Sequence, residues 1–408
     1  NTPELLSPAG DLDKMRFGIA YGADAVYMAG TRFGMRAAAT NFDDNALREG
    51  IAYAHAHGVK CYITVNIMPS NRDLPALPAY LELLQDAGAD ALIIADVGVL
   101  RMARRYAPKV PVHISTQTSI LNHEAANYWA DEGAERIVLA RELSLEEIAE
   151  IRAKTPKELE IEAFVHGAMC ISYSGRCLIS QYMTGRDANH GACAQPCRWN
   201  YSLMEEKRPG QFFPVEEDGR GTYLYNSKDM CMIEHVPELI EAGITSFKIE
   251  GRNKTAYYAA CVTGAYRAAI DTYKKDPENF VLPQFCRDEV NKVSHREYYT
   301  GFYFGNQENG QHYGDSQYIR EYEVVGMPVE CDDSGKAVFA LKNRFFDGEE
   351  LELIQPGQAP YVFRAENVTD DEGTKRELFN VPQMRVHFAF PFKVSEWAIL
   401  RKVKERPE

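Results

Sequence analysis

Residues 44–67, DNALREGIAYAHAHGVKCYITVNI, contain one helix–turn–strand unit of this chain. Apolar residues at helical spacing predict a helix over residues 44–57, and Gly58 follows as a typical helix terminator. Residues 61–67 are apolar and rich in β-branched side chains, which is typical of a buried strand. A helix that leads through a glycine into such a strand indicates parallel strands joined by right-handed crossovers.

The same unit recurs along the first two-thirds of the chain. The predicted strands span residues 4–7, 25–29, 61–67, 91–95, 112–115, 136–140, 159–165 and 246–250. The helices predicted between the first seven strands span residues 12–21, 44–57, 74–86, 98–106, 123–131 and 144–154. Eight strands in this arrangement predict an α/β fold, a closed (β/α)8 TIM-like barrel.

Two regions depart from the repeat. About 80 residues separate the seventh predicted strand from the eighth, several times the usual connection, which indicates an insertion over residues 167–244. From residue 318 onward, short strand-like runs alternate with turn signals such as DDSG at residues 332–335, which predicts a small antiparallel β-barrel. We therefore expect a barrel domain over residues 1–317 and a C-terminal domain over residues 318–408.

The net charge of the chain restricts the classes of molecule that it can bind. The 408 residues include 45 Lys and Arg against 59 Asp and Glu, a net charge of −14, so nucleic acid can bind only at a local basic face. No apolar run approaches the roughly 20 residues of a membrane-spanning helix, and no secretory signal is visible, so we expect a cytoplasmic protein. The insertion offers a basic face with interleaved aromatics, or alternatively an ordinary solvated surface. The residues concerned are Arg176, Arg186, Arg198, Lys207, Arg208, Tyr173, Tyr182, Trp199 and Tyr201.

Polar side chains gather where the predicted strands end, which is where the chemistry of such barrels takes place. They are Arg36, Asn66, Asp96, Ser115, Gln117, Arg141, His166, Glu250 and Arg252. Together they predict a polar pocket, although Asn66 and Asp96 taken singly are more typical of strand-end caps. The three arginines are suited to a carboxylate or phosphate ligand.

Glu162 precedes His166 by four residues, an even offset that places both on one side of a strand. They are candidates for proton transfer, or equally for a neutral hydrogen-bonded core pair.

Five of the nine cysteines fall in the insertion: Cys170, Cys177, Cys193, Cys197 and Cys231. The first four are separated by six, fifteen and three residues, which lacks the paired spacing of zinc ribbons and favours a [4Fe–4S] cluster over zinc. Cys231 is a reserve ligand. A single nucleophilic cysteine beside His166 is the alternative, but it leaves the other thiols without a role.

Several motifs resemble one known family. They are ELLSPAG at residues 4–10, YGADAVY at 21–27, EAFVHGAMC at 162–170, SGRCLIS at 174–180, GACAQPCRW at 191–199 and KIEGR at 248–252. They resemble the collagenase-like peptidases of the U32 type, and most closely the branch that hydroxylates tRNA. The word peptidase is a historical label in that family. The sequence shows no zinc-protease helix motif and no serine-nucleophile elbow.

This resemblance implies an enzyme that makes 5-hydroxyuridine at the wobble position of tRNA, with a [4Fe–4S] cluster on Cys170, Cys177, Cys193 and Cys197. It also implies prephenate, or a related small carboxylate, as a metabolite the reaction needs, the anticodon stem-loop as a partner, and an electron donor. From position we assign catalytic roles to Glu162, His166, Glu250 and Arg252. Arg36, Asn66, Gln117, Arg141 and Lys248 are the candidate substrate-binding residues. A peptidase and a non-enzymatic RNA-binding scaffold with a structural metal remain alternatives.

Overall fold

The computed structural model describes residues 2–35, 41–170, 173–174, 176–199, 202–204, 212–214, 228–305 and 319–404. The strands of the first domain are β1 Glu4–Pro8, β2 Ala25–Ala29, β3 Lys60–Val65, β4 Ala91–Ile94, β5 Val112–Ile114, β6 Arg136–Val138, β7 Glu160–Ala168, β8 Ser202–Met204, β9 Phe212–Pro214, β10 Asp229–Cys231, β11 Ser246–Ile249 and β12 Tyr298–Tyr299. Strands β1 to β7 pair in parallel in chain order, and β11 pairs with both β7 and β1. The predicted closed eight-stranded barrel is confirmed.

Helices cover the barrel, and polar caps begin most of them. The helices are α1 Leu12–Ala20, α2 Asp44–Ala56, α3 Leu77–Asp86, α4 Val97–Tyr106, α5 His123–Asp131, α6 Leu145–Ala153, α7 Ile179–Thr184, α8 Val236–Glu241, α9 Ala256–Lys275 and α10 Gln284–Asn291. Asp43 caps α2 through the amide of Ala46, and Ser144 forms a capping box with Glu147 at α6. Each cap satisfies backbone amides that have no partner inside the helix.

A buried ion network closes the lumen near the amino ends of the strands. Arg136 of β6 donates to Glu4, at 2.6 Å, and to Glu162 of β7, at 3.0 Å. Lys248 of β11 donates to the other oxygen of Glu162, at 2.7 Å. Arg136 also pairs with the half-exposed Glu160. Because Glu162 is fully buried, its charge depends on these two cations.

Strand β7 continues past the barrel. Its last residues pair antiparallel with β10, which pairs in turn with β12, so part of the insertion extends the barrel sheet. The register of β7 against β11 shifts between the pairs Phe164–Lys248 and His166–Ile249. The shift makes Val165 the extra residue of a β-bulge.

The C-terminal domain is an antiparallel half-barrel. Its strands are β13 Tyr322–Cys331, β14 Lys336–Leu341, β15 Phe345–Phe346, β16 Glu350–Ile354, β17 Tyr361–Arg364, β18 Thr369–Asp370, β19 Leu378–Phe379, β20 Arg385–Ala389 and β21 Ile399–Val403. Seven of them form one sheet in the order β17-β16-β21-β13-β14-β20-β18, and β15 pairs with β19. Its core contains stacked aromatics, including Phe345 and Phe379 with ring centroids 4.8 Å apart.

Arg401 joins the two domains. This fully buried side chain of β21 donates to Glu289 of α10 at 2.8 Å, to the Tyr257 hydroxyl at 3.1 Å and to Glu352 at 2.8 Å. The Tyr21 hydroxyl of the barrel domain also donates to the carbonyl of Trp397, at 3.0 Å. In the described part of the chain, no helix is both long and apolar enough to cross a membrane.

Candidate active site

One cavity opens at the carboxyl ends of the barrel strands. Its volume of about 160 Å³ exceeds that of a single water site by more than tenfold, so it can hold a small molecule or a base. The described side chains on its wall come from seven barrel strands or the loops that follow them, and from the insertion. They include Tyr27, Thr64, Asn66, Ser115, Gln117, Arg141, Phe164, Cys170, Tyr173, Cys177, Cys193, Cys197, Lys248, Glu250 and Arg252.

The four predicted cluster cysteines lie on this one wall. In the described part of the chain, none of the four forms a disulfide bond. The Cys193 sulfur accepts the backbone N–H of Gln195 at 3.3 Å, a contact typical of cysteines that hold a cluster. Among the described residues, no three His, Cys, Asp or Glu side chains converge closely enough to hold a single metal ion. A cubane cluster does not require that convergence, because each thiolate binds a different iron atom. Four thiols that line one cavity are the donor set that such a group takes.

Cys231 does not share the wall. It lies on β10 opposite His166, beside a separate pocket that Tyr298 and Tyr299 also line. Burial raises the pKa of its thiol to about 12, which keeps it protonated at neutral pH. The reserve ligand is therefore placed apart from the other four cysteines.

The part of the lining that comes from the barrel strands and the loops after them is rich in hydrogen-bond donors. Thr64 Oγ1, Gln117 Nε2 and Arg141 Nε are buried, and none has a hydrogen-bond partner within the described residues. Ser115 donates to Gln117 Oε1 at 3.1 Å, which turns the amide nitrogen of Gln117 away from Ser115. Buried polar groups rarely remain unsatisfied in proteins, so this arrangement indicates a ligand that carries acceptor oxygens.

Two arginines of the predicted clamp reach the cavity. Arg141 donates to the carbonyl of Ala168 at 2.8 Å, and its guanidinium lies 3.8 Å from the centroid of the Phe164 ring. Arg252 donates to the carbonyl of Met35. Both contacts orient a buried guanidinium at the mouth. Arg36, the third predicted member, lies outside the described residues.

The prediction that Glu162 and His166 share one side of β7 is wrong. Glu162 points into the lumen and pairs with Lys248 beneath the cavity, whereas neither Glu162 nor His166 is on the cavity wall. The ring nitrogens of His166 face the hydroxyls of Tyr266, at 3.4 Å, and Tyr298, at 3.3 Å. The β-bulge at Val165 is the reason, because one extra residue reverses the alternation of the strand.

Burial also determines the protonation state of His166. Removal from water, with smaller contributions from His295 and Lys254, lowers the pKa of His166 to about 3. The ring is therefore neutral at physiological pH. Because it faces two tyrosine hydroxyls, the geometry does not support His166 as the base of a nucleophilic Cys170.

Two further ionisable side chains line the cavity. Lys248 lies at its floor and Glu250 at its mouth. Lys248 Nζ lies 4.5 Å from the centroid of the Tyr27 ring and bridges the ion network to the cavity. The Tyr27 hydroxyl lies 3.4 Å from Glu250 Oε2 and donates to the carbonyl of Ile249 at 2.9 Å. A carboxylate at the mouth, held by a tyrosine, is suited to accept a proton from a bound substrate.

The other strand-end predictions have mixed outcomes. Asp96 caps α4 through the amide of Val99, at 2.9 Å, the role that its position favours. Asn66 accepts from the amide of Met35 at 3.1 Å and also lines the cavity. Sequence reasoning missed Thr64 and Tyr27. Their signal was available, because both alternate with outward-facing residues on strands that end at the mouth.

The predicted basic face of the insertion is described only in part. Lys207, Arg208 and Tyr201 lie outside the described residues, as does the side chain of Arg198. Arg176 and Arg186 are exposed. So are Tyr173, Tyr182 and Trp199, with Tyr182 92% exposed, so these aromatic rings are accessible from solvent.

Two protein-family models match most of this chain. The model of peptidase family U32 matches residues 10–313, and that of the family's C-terminal domain matches residues 320–401. The chain belongs to peptidase family U32. It is 39% identical to tRNA hydroxylation protein P1 of Bacillus subtilis, over 98% of this chain and 95% of the relative. It is 37% identical to tRNA hydroxylation protein P of Escherichia coli, over 91% and 90%. A third relative, the 23S rRNA 5-hydroxycytidine C2501 synthase of Escherichia coli, is 40% identical over 80% of this chain and 48% of its own length.

Proposed function

We propose that this protein is an RNA hydroxylase that makes 5-hydroxyuridine at the wobble position of tRNA, with a [4Fe–4S] cluster on Cys170, Cys177, Cys193 and Cys197. The observation that carries the proposal is the sharing of one cavity by these four cysteines and by unsatisfied buried donors. Two relatives that match nearly the whole chain are named for tRNA hydroxylation, and a third for 5-hydroxycytidine synthesis in rRNA. Hydroxylation of RNA is the chemistry common to these names, and the name of the rRNA enzyme adds position 5 of a pyrimidine.

The chemistry needs a redox group. Replacing the hydrogen on C5 of uracil by a hydroxyl group removes two electrons from the base, and protein side chains are poor electron acceptors. When bound, an iron–sulfur cluster supplies electron transfer. With water as the source of the oxygen atom, two electrons and two protons leave, and an external acceptor has to take up the electrons. With dioxygen as the source, an external donor has to supply two electrons, and the second oxygen atom leaves as water.

In this reaction the residues of the barrel bind the pyrimidine base and orient it. A pyrimidine offers carbonyl oxygens to Gln117 and Asn66, and Glu250 at the mouth is placed to accept a proton. Lys248 holds a positive charge at the cavity floor, with Glu162 as its buried counter-ion. In this proposal Glu162 and His166 act as positioning residues, because neither lines the cavity.

A small carboxylate fits the same cavity. Arg141, Arg252, Gln117 and Thr64 form a set of donors, and guanidinium groups match carboxylate oxygens. Prephenate, implied by the family resemblance, carries two carboxylates, and we propose it as the co-substrate. The wobble base of an anticodon loop is unpaired, so it is available for insertion at the mouth.

The cluster is tested by anaerobic purification. Iron, sulfide and visible charge-transfer absorbance are measured in the wild type, in Cys→Ser variants at positions 170, 177, 193 and 197, and in Cys331→Ser. Cys331 is an exposed cysteine of the C-terminal domain and serves as the matched control. We expect each of the four variants to lose most of its iron and the control to retain it. An iron-free wild type, or iron that survives all four changes, contradicts the proposal.

The reaction is tested in tRNA. Nucleosides from a strain that lacks this protein are analysed by mass spectrometry after complementation with the wild type, Cys193→Ser, Arg141→Ala or the exposed control Arg364→Ala. We expect 5-hydroxyuridine derivatives to return only with the wild type and the control. Unchanged 5-hydroxyuridine in the deletion strain would refute the assignment, and gelatin cleavage by the purified protein would favour a peptidase.

A further inference from the structure

A second depression runs from the cavity to the C-terminal domain. One wall comes from the loop after β11 and the first turn of α9, and the other from β13, the loop after β14 and the end of β21. We call it the interdomain groove. Its lining includes Glu250, Asn253, Lys254, Thr255, Ser294, Arg320, Tyr322, Glu323, Lys342, Asn343 and Lys404.

The groove begins where the cavity opens. Glu250 lines both of them. Ala168 and Gln195 also line the groove, and each contacts the site directly: the Ala168 carbonyl accepts from Arg141, and the Gln195 amide donates to the Cys193 sulfur. A polymer with one residue in the cavity therefore has a continuous path into the groove.

The charge of the groove opposes that of the whole chain. Among the described residues, four cations line it, Lys254, Arg320, Lys342 and Lys404, against two carboxylates, Glu250 and Glu323, a net +2 on a protein of net charge −14. Arg320, Lys342 and Lys404 are exposed. Glu323 lies 3.9 Å from Lys402 Nζ, which offsets part of its charge. The groove is thus a local cationic strip, as nucleic-acid binding requires of an acidic protein.

Neutral hydrogen-bonding side chains accompany the cations. Asn253, Thr255 and Asn343 lie on the two walls, and Lys254 Nζ donates to the Ser294 carbonyl at 3.0 Å, which holds that ammonium at the groove. Most hydrogen bonds between proteins and nucleic acids go to phosphate and sugar oxygens, from side chains of these types.

We propose that the interdomain groove binds the sugar–phosphate backbone of the RNA next to the target nucleotide, with Lys342 and Lys404 of the C-terminal domain contacting phosphates. This inference rests on the proposed function and assigns the C-terminal domain a part in it. When the target base enters the cavity, the flanking phosphates stay at the rim, and the groove is the cationic surface that continues from that rim.

The test compares two double variants of the holoprotein. Lys342→Ala/Lys404→Ala removes two groove cations, and Lys336→Ala/Lys375→Ala removes two exposed lysines of the same domain that do not line the groove. Binding of a fluorescently labelled anticodon stem-loop RNA is measured by anisotropy across a salt series. We expect the groove variant to bind about tenfold more weakly near physiological salt, and its log–log salt slope to fall by about 1.4, or 0.7 per phosphate contact on a single strand. The control keeps both values.

The outcomes separate this inference from the function it rests on. Equal affinities and slopes for the two double variants overturn the groove assignment, while 5-hydroxyuridine formation in the complemented strain leaves the proposed function intact. Loss of RNA binding in Arg176→Ala/Arg186→Ala but not in the groove variant also overturns it, and assigns the backbone contact to the insertion. Wild-type protein that neither binds nor modifies tRNA overturns both. Equal urea midpoints for all variants confirm that each one is folded.

Discussion

Individual residues at this site are held by charges and hydrogen bonds that lie beneath the cavity. Lys248 reaches the cavity floor, but its position depends on Glu162, which has no exposed surface and also pairs with Arg136. Removing one partner of a buried ion pair leaves an uncompensated charge, which costs more than the pair itself contributes. Glu162 therefore holds Lys248 in place at the cavity.

Glu162→Gln is expected to lower the free energy of unfolding by about 3 kcal/mol, because it leaves Lys248 and Arg136 with one counter-charge fewer in a buried site. Urea denaturation measures the change. Glu160→Gln is the matched control. It removes a half-exposed partner of the same Arg136, so its cost should stay below about 1 kcal/mol. Equal costs for the two variants would show that burial does not determine the strength of this network.

His166 makes the stability of the folded protein depend on pH, and its pKa determines the sign of that dependence. Burial lowers its pKa to about 3, so between that value and the ordinary value of about 6.5 the unfolded chain binds more protons than the folded one. Stability present at neutral pH is then lost as pH falls, by up to about 1.4 kcal/mol per pH unit for this one group. The groups that face His166 are Tyr258, Tyr266, Tyr298, His295 and Lys254.

His166→Gln keeps a side chain that hydrogen-bonds to the two tyrosines but does not titrate. We expect its unfolding free energy to fall less steeply than that of the wild type between pH 6.5 and 4, with His113 and His295, whose pKa values burial also lowers, accounting for the remaining slope. Denaturant midpoints at several pH values measure both slopes. Parallel curves would contradict a neutral buried His166.

Strand β7 determines which side chains reach the site. The bulge at Val165 sends Phe164 into the cavity and His166 to the opposite side, and the strand then leads directly to Cys170. Gly167 follows the bulge with φ +108°, a conformation that side chains rarely adopt. A Cβ at this position would lie 2.5 Å from the carbonyl oxygen of Glu250, so the element also fixes the distance between β7 and the loop that carries Glu250.

Gly167→Ala is expected to destabilise the protein and to reduce iron binding, because the new methyl group pushes β7 away from the Glu250 loop. Gly185→Ala is the control. Gly185 has φ +71°, but a Cβ added there would meet no heavy atom of the described residues within 4 Å, so this variant is expected to carry backbone strain alone. The difference in unfolding free energy should be at least about 1 kcal/mol, the cost of overpacking. Equal losses in the two variants would rule out the close approach as the cause.

In the intact molecule, the C-terminal half-barrel is attached to the barrel by buried charge. Arg401 contacts Glu289 and Tyr257 across the domain boundary and Glu352 within its own sheet. Lys292 of the barrel domain donates to Glu352 at 2.9 Å and adds a second contact across the boundary. Because the interdomain groove has walls from both domains, this attachment also sets its width.

Arg401→Ala is expected to uncouple the domains. It leaves Glu289 buried without its main counter-ion, at a cost of about 3 kcal/mol, and removes the strongest contact at the boundary. Calorimetry should then show two transitions in place of one. Arg385→Ala removes an exposed ion pair of the same domain and should preserve the single transition. A single transition in both variants would show that the remaining contacts across the boundary, such as Lys292 with Glu352 and Phe17 with Trp397, suffice.

Local sequence patterns were sufficient to predict much of the fold and part of the candidate site. Apolar runs alternating with capped helices predicted the closed barrel and nearly all its strand positions, and the crowding of Cys170, Cys177, Cys193 and Cys197 predicted a common location. Other properties became visible only in the folded chain: His166 faces away from the cavity, and a cationic groove forms between two domains of an acidic protein. The physical reason is that a bulge depends on the register between two strands far apart in sequence, and a groove depends on which surfaces pack together. Neither property is encoded in the spacing of neighbouring residues.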